Sequence, residues 1–219
     1  MYIFESNWHL GPFFTSEDFP IDVIKNEPMF FNATTAYCFE HACPITRAFL
    51  EAIRKDSSFK LFNEMIIDTR VHMLMPGWFP CIPGYHHDDV PRTRADGQPD
   101  YDHAAYRPAH VMGLVHGDIC PTEFALGTAE FQAIPGGDVI YKQWHGVVEN
   151  YLSTGVLERR TAPSNRLIYF NDRTWHQGTR CILSGWRWFA RASWDTHRVP
   201  TNEIRRQVQV YLEFPMEGW

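Results

Sequence analysis

The sequence predicts a mainly β fold, a β-sandwich or jelly-roll barrel with supporting helices. Three observations carry that expectation: a succession of apolar segments of strand length, one clear amphipathic helix ahead of them, and turn-rich stretches between them. The 219 residues suffice for a single domain with a real core. They read as residues 1–60 packed on a barrel core spanning 61–219.

Residues 1–43 mix aromatics with Pro, Asp and Asn without a clear period, which predicts a partly irregular segment. From Pro44, a residue suited to a first helical turn, Ile45, Ala48, Phe49, Ala52 and Ile53 recur at helical spacing until Lys55-Asp56-Ser57-Ser58 ends the run. Residues 65–75 are branched and apolar and stop at Pro76-Gly77, as a strand does. Alternation along this strand would turn Arg70, His72 and Leu74 inward together. Residues 92–108 carry Gly, Pro, Asp and Arg with little apolar content, and read as a long surface loop and possible lid. Further strands are expected at 110–116, 123–133, 166–170, 186–193 and 207–213, with a turn at Ile134-Pro135-Gly136-Gly137-Asp138. The apolar spacing of residues 147–160 fits a short helix nearly as well as a strand.

Hydrophobic residues make up 44% and charged residues 21%, an ordinary balance for a soluble globular protein. A formal charge of -6 argues against a protein that binds by covering phosphates, so nucleic acid is an unlikely partner. Two basic clusters, Arg159, Arg160 and Arg166, and Arg198, Arg205 and Arg206, read as solvated surface. The five cysteines are odd in number and form no Cys-x-x-Cys pair, which fits reduced thiols in a cytoplasmic setting. The first residues lack the basic and apolar regions of a secretory signal, and no stretch has the length of a membrane span.

Chemistry concentrates in Gly84-Tyr85-His86-His87-Asp88-Asp89. Residues i and i+2 of a strand share a face, so His86 with Asp88, or His87 with Asp89, can turn toward one metal ion. A further histidine would complete a two-His, one-carboxylate facial triad of the kind that holds non-haem ferrous ion with open positions for substrate and oxygen. His176 is the best third ligand, since it follows an apolar strand and a polar turn and precedes Gly178 closely. Beyond it, Arg187, Phe189, Arg191 and Ser193 share one face of a strand and Trp186, Trp188, Ala190 and Ala192 the other. Two arginines on one face call for an anion. A polar turn after Pro83-Gly84, and salt bridging of the arginines to a neighbouring strand, are the plainer explanations of each feature taken alone.

Together, the His-x-Asp pair, the distal His176 and the arginines eleven and fifteen positions after it resemble the iron(II)- and 2-oxoglutarate-dependent oxygenases, in particular those like the phytanoyl-CoA and taurine dioxygenases. The resemblance covers residues 65–193. It implies a double-stranded β-helix, ferrous ion held by His86, Asp88 and His176, and 2-oxoglutarate and O2 as co-substrates. It further implies that Arg187 or Arg191 meets the distal carboxylate of 2-oxoglutarate, for which a planar guanidinium is suited. Thr122, in Pro121-Thr122-Glu123-Phe124-Ala125-Leu126-Gly127, resembles the position that supplies a hydroxyl to the co-substrate. Gly84-Tyr85 before the first histidine resembles the family's approach to its ligand and favours His86 and Asp88 over His87 and Asp89.

The expected activity is therefore hydroxylation of a small organic substrate with release of succinate and carbon dioxide. Trp78, Phe79, Tyr85, Trp144 and Trp175 flank the proposed ligands and are candidates for a substrate wall, although aromatics there also suit a core. Two rivals fit the same residues: a cupin-type metal dioxygenase or isomerase that does without 2-oxoglutarate, and a non-catalytic β-barrel module that merely holds a metal.

Overall fold

The structure, a computed structural model, describes residues 1–56, 62–133, 140–207 and 209–212. The chain begins with two strands, β1 (Tyr2–Ser6) and β2 (Trp8–Phe13), then α1 (Ile21–Lys25), β3 (Met29–Phe31), β4 (Ala33–Thr34), α2 (Thr35–His41) and α3 (Pro44–Lys55). After a 3-10 turn at Phe62–Glu64 come β5 (Ile66–Leu74), β6 (Trp78–Phe79), β7 (Ala109–Val115), β8 (Thr122–Phe131) and α4 (Ile140–Ser153). The remainder is β9 (Glu158–Thr161), β10 (Arg166–Asn171), β11 (Trp175–Gly178), β12 (Gly185–Trp194), β13 (Glu203–Arg205) and β14 (Tyr211–Leu212). Among the described residues no helix is long and apolar enough to cross a membrane.

The fold is mainly β, built from antiparallel sheets. A six-stranded sheet runs β2-β10-β7-β12-β5-β4, and in a four-stranded sheet β8 pairs with β1, β11 and β9. The two pack face to face through Met112, Leu114, Ile168 and Phe170 from the larger sheet and Phe124 from the smaller. Helix α3 covers the outer face of the larger sheet, where Ile45, Phe49 and Ile53, spaced one helical turn apart, meet Val71, Val111, Trp188, Ala190 and Ala192. Helix α4 covers the smaller sheet in the same way, laying Ile140, Trp144 and Val148 on Phe4, Ala129, Phe131 and Trp175.

Because the outward residues of β12 are Trp188, Ala190 and Ala192, strand alternation sends Arg187, Phe189, Arg191 and Ser193 between the sheets. Register extends that inner face. Arg187 lies opposite His72, Phe189 opposite Arg70 and Arg191 opposite Asp68. The same logic acts on β11: Trp175 pairs with Ala125 and lies under α4, so its neighbour His176, paired with Phe124, points inward.

Helix α3 starts at Pro44 as the sequence predicts, but its N-cap, Cys43, makes no side-chain cap. A distant carboxylate supplies it: Glu27 accepts from Ile45 N at 2.6 Å, Thr46 N at 3.2 Å and the Thr46 hydroxyl at 2.6 Å. Burial pushes the Glu27 carboxyl up, against these hydrogen bonds. Glu27→Ala is expected to destabilise the protein by about 2 kcal/mol, read from urea unfolding midpoints.

Three expectations need correction. Residues 1–43, expected to be partly irregular, hold the helices α1 and α2 and four strands, among them β1 and β2. Asn7 lies between them, where the chain leaves the small sheet as β1 and enters the large one as β2. Both pair with strands more than a hundred residues away, a relation that local periodicity does not carry. Residues 147–160 contain both alternatives, the end of α4 and the strand β9. Of residues 207–213, only Tyr211–Leu212 form a described strand; residues 208 and 213, and the turn expected at 134–138, lie outside the described residues.

Candidate metal centre

The His-x-Asp pair does not sit on a strand. It lies in an irregular segment between Pro83 and Pro91 that turns through Gly84 (φ 103°) and Asp89 (φ 54°). Within it His86 makes a single antiparallel bridge to His176: His86 N donates to His176 O at 3.0 Å and His176 N to His86 O at 3.3 Å. Residues directly opposite in such a bridge project to the same side. The two imidazoles, ninety positions apart in the chain, therefore stand side by side, with ring centroids 4.7 Å apart. Asp88 completes the group, and one ligand atom from each of the three lies within 4.8 Å of the others.

Backbone carbonyls orient both rings. Nδ1 of His86 is 2.8 Å from Gly84 O and Nδ1 of His176 is 2.9 Å from Thr174 O. A carbonyl can only accept, so both Nδ1 atoms carry the proton and each neutral ring presents an unprotonated Nε2 to the centre. Nε2 of His176 is 3.0 Å from Asp88 Oδ2 and Nε2 of His86 is 3.8 Å from Asp88 Oδ1. Lone pairs so close to a carboxylate repel unless a cation lies among them, which is the donor set of a divalent metal. Burial lowers the pKa of His86. Burial alone would raise that of Asp88, but the charge of Arg191 beside it holds it well below the ordinary carboxylate range. Near neutrality His86 is thus neutral and Asp88 ionised, the states in which they can ligate a metal.

His87 faces the other way. Its ring lies 3.7 Å from that of Trp175, and its Nδ1 is 2.6 Å from the Tyr101 hydroxyl. The structure thus brings together the first of the two possible registers. Asp89 stays at the cavity but is paired with Arg191 at 3.4 Å and Arg198 at 3.5 Å.

The three donors open on a cavity of about 380 Å³, a size suited to small molecules. Thr122, Arg187 and Arg191 also line it, so every residue proposed for metal or co-substrate meets at one site. The two arginines differ in their partners. Arg191 contacts Asp88, and also reaches Asp68 and Asp89, both at 3.4 Å. Its charge is thus matched by aspartates already at the cavity. Arg187 is 2% exposed and donates to the Thr122 hydroxyl at 2.7 Å. It has no carboxylate partner among the described residues, and its Nε has no hydrogen bond. Burial lowers its pKa. Beside it, burial and the Arg187 charge push His72 down to about 3, so that ring is neutral.

Sequence reasoning missed Asp68 and Arg198. Arg198 grips Asp68 with two bonds of 2.6 Å and 3.0 Å. Asp68 shares the alternation that marks Arg70 and His72, so period-two spacing contained its signal; Arg198 lies beyond β12 and carried none. None of the candidate wall aromatics lines the cavity. Tyr85, Trp144 and Trp175 are buried in the cluster beneath α4, and Trp78 packs near Leu74 and Cys181. Nor does any of residues 92–108 line it. That loop is rooted in the same cluster by buried Tyr101, whose carbonyl accepts from Arg173 at 2.8 Å.

No protein-family model matches the chain, and no curated protein matches it in sequence. Among solved structures, the chain is similar to the crystal structure of HygX from Streptomyces hygroscopicus with iron bound, at 9% identity and a TM-score of 0.40, covering 88% of this chain and 83% of that one. It is similar also to HygX with nickel and 2-oxoglutarate bound, at 10% identity and a TM-score of 0.41, covering 88% and 84%.

Proposed function

We propose that this chain is an iron(II)- and 2-oxoglutarate-dependent oxygenase that hydroxylates a small organic substrate. The observation that carries the reading is the pairing, in one cavity, of a His86/Asp88/His176 donor set with a buried guanidinium, Arg187, that has no carboxylate partner among the described residues. On the same reading the two facing sheets form a double-stranded β-helix, with the site between them.

When bound, iron(II) with 2-oxoglutarate and O2 supplies the oxidising power for inserting oxygen into a C–H bond, as 2-oxoglutarate is converted to succinate and carbon dioxide. The protein's part is positional and electrostatic. His86 and His176 offer Nε2 lone pairs because their Nδ1 protons are committed to Gly84 O and Thr174 O. Asp88 is kept ionised and oriented by Arg191, itself anchored on Asp68 and Asp89. Arg187 and the Thr122 hydroxyl receive the distal carboxylate, and neutral His72 beside them adds no competing charge. Phe189 and Pro80 supply apolar wall that limits water around the reacting atoms.

The test is succinate formation from 2-oxoglutarate by purified protein. Iron(II)-dependent release, stimulated by a substrate from a metabolite panel, is expected. Oxygen consumption without succinate would favour a cupin-type dioxygenase, and no turnover with tight metal binding would favour a binding module.

A further inference from the structure

The cavity holds one cation more than the chemistry above uses. Four arginines line it, Arg70, Arg187, Arg191 and Arg198, against three aspartates, Asp68, Asp88 and Asp89. A ferrous dication and a 2-oxoglutarate dianion cancel, so the surplus remains after the co-substrate is seated. Pairing shows where it resides. Arg191 and Arg198 divide the three aspartates between them, and Arg187 faces the co-substrate. Arg70 makes no ion pair among the described residues; its Nη1 donates to Thr69 O at 3.2 Å, a contact that leaves its charge unmatched.

Arg70 also stands at a junction. Together with Pro80 and Cys81 it lines both the metal cavity and a second, open cavity bounded by Arg205, Arg206 and Tyr211. Phe31 is the hinge between the two arginine groups: the Arg205 guanidinium lies 3.3 Å from the centroid of its ring and that of Arg70 lies 5.8 Å from it. Among the described residues the carboxylate on Arg205 is Glu203 at 3.3 Å, bound through Nε, so the two terminal nitrogens of Arg205 are not committed to it. Burial lowers the pKa of Arg70; Asp68 opposes this, and the charges of Arg205, Arg191 and Arg198 add to it.

We propose that the substrate carries an oxyanion, a carboxylate, sulfonate or phosphate group, which Arg70 and Arg205 bind where the two cavities join, directing the rest of the molecule toward His86, Asp88 and His176. The proposal rests on the oxygenase reading and adds the substrate class to it. The shared requirement is a compact group with several acceptor oxygens, for which paired guanidinium forks are suited.

The test uses protein saturated with iron(II) and 2-oxoglutarate under anaerobic conditions, so that the Arg187 end is filled. Acetate, methanesulfonate and inorganic phosphate are titrated separately by calorimetry into wild type, Arg70→Gln and Arg205→Gln, and the visible band of the iron–2-oxoglutarate chelate is recorded for each. At least one anion is expected to bind wild type and to bind each variant at least tenfold more weakly, with the band retained. Arg205 is only partly buried, so its variant keeps the test open if Arg70→Gln fails to fold. Binding of none of the three anions, or equal binding by wild type and variants with the band intact, would overturn the proposal while leaving the oxygenase reading in place. Loss of the band in Arg70→Gln alone would overturn it too, by assigning Arg70 to 2-oxoglutarate. Absence of the band in wild type defeats the oxygenase reading and, with it, the substrate role; the anion site itself would then stand or fall on the same titrations of metal-free protein.

Discussion

Alanine at position 176 is expected to weaken iron(II) binding by at least about 100-fold while the protein stays folded, whereas alanine at position 87 should leave iron binding intact and cost about 2 kcal/mol of stability. The contrast follows from geometry. His176 turns Nε2 to a centre shared with His86 and Asp88, and on the proposed assignment its removal leaves two ligands that cannot define a facial site. His87 instead packs its ring 3.7 Å from that of Trp175, beneath α4. Its truncation leaves a cavity there and deprives the Tyr101 hydroxyl of a partner, with no consequence at the metal. Equilibrium dialysis against iron(II), set beside urea unfolding of each variant, separates the two effects. Iron binding lost in His87→Ala but kept in His176→Ala would reverse the ligand assignment.

The second large effect has opposite signs with and without co-substrate. Arg187→Met should raise the unfolding temperature of the metal-free protein, because a buried cation without an anion is a cost that an apolar side chain of similar length removes. A gain of about 1 kcal/mol corresponds to a rise of roughly 2–4 °C for a chain of this size. The same variant should bind 2-oxoglutarate about 100-fold more weakly, since two charge-assisted hydrogen bonds are lost. Thermal melts and 2-oxoglutarate titrations of the iron-loaded protein read these separately. A fall in the unfolding temperature of the metal-free variant would mean that Arg187 is already satisfied and is structural.

Much of this arrangement was legible in the sequence, for identifiable reasons. The helix at Pro44–Lys55 announces itself by apolar residues at helical spacing, and the strands β5, β7, β8, β10 and β12 by apolar runs bounded by turn-rich stretches. The alternation of β12 correctly separates Arg187 and Arg191 from Trp188, Ala190 and Ala192, since each set meets a different layer. What stayed hidden depends on partners far along the chain. β1 and β2 are recognisable as strands only once β8 and β10 are beside them, and the cap on α3 comes from Glu27.

The site divides in the same way. Spacing and the family resemblance together brought His86, Asp88, His176, Thr122, Arg187 and Arg191 into one list, and they meet at one cavity. Spacing could not distinguish the two arginines, because their difference lies in what faces them: Arg191 meets Asp88, Asp68 and Asp89, whereas Arg187 meets a hydroxyl. The His-x-Asp register was equally undecided by strand logic, since the segment is not a strand; the bridge from His86 to His176 selects the inward histidine. Arg198 and Arg205, read as solvated surface from their clustering, instead border the two joined cavities. The 92–108 loop looked like a lid by composition, yet its buried Tyr101 belongs to the cluster under α4.

The central claim is that one cavity holds a divalent metal at His86, Asp88 and His176 and a 2-oxoglutarate carboxylate at Arg187. Anaerobic addition of iron(II) and then 2-oxoglutarate to the purified protein tests it most directly. One iron per chain is expected, with a weak visible charge-transfer band that appears only when both are present and is lost in His176→Ala and Arg187→Met. No band in wild type at saturating iron(II) and 2-oxoglutarate, or a band undiminished in both variants, would contradict it.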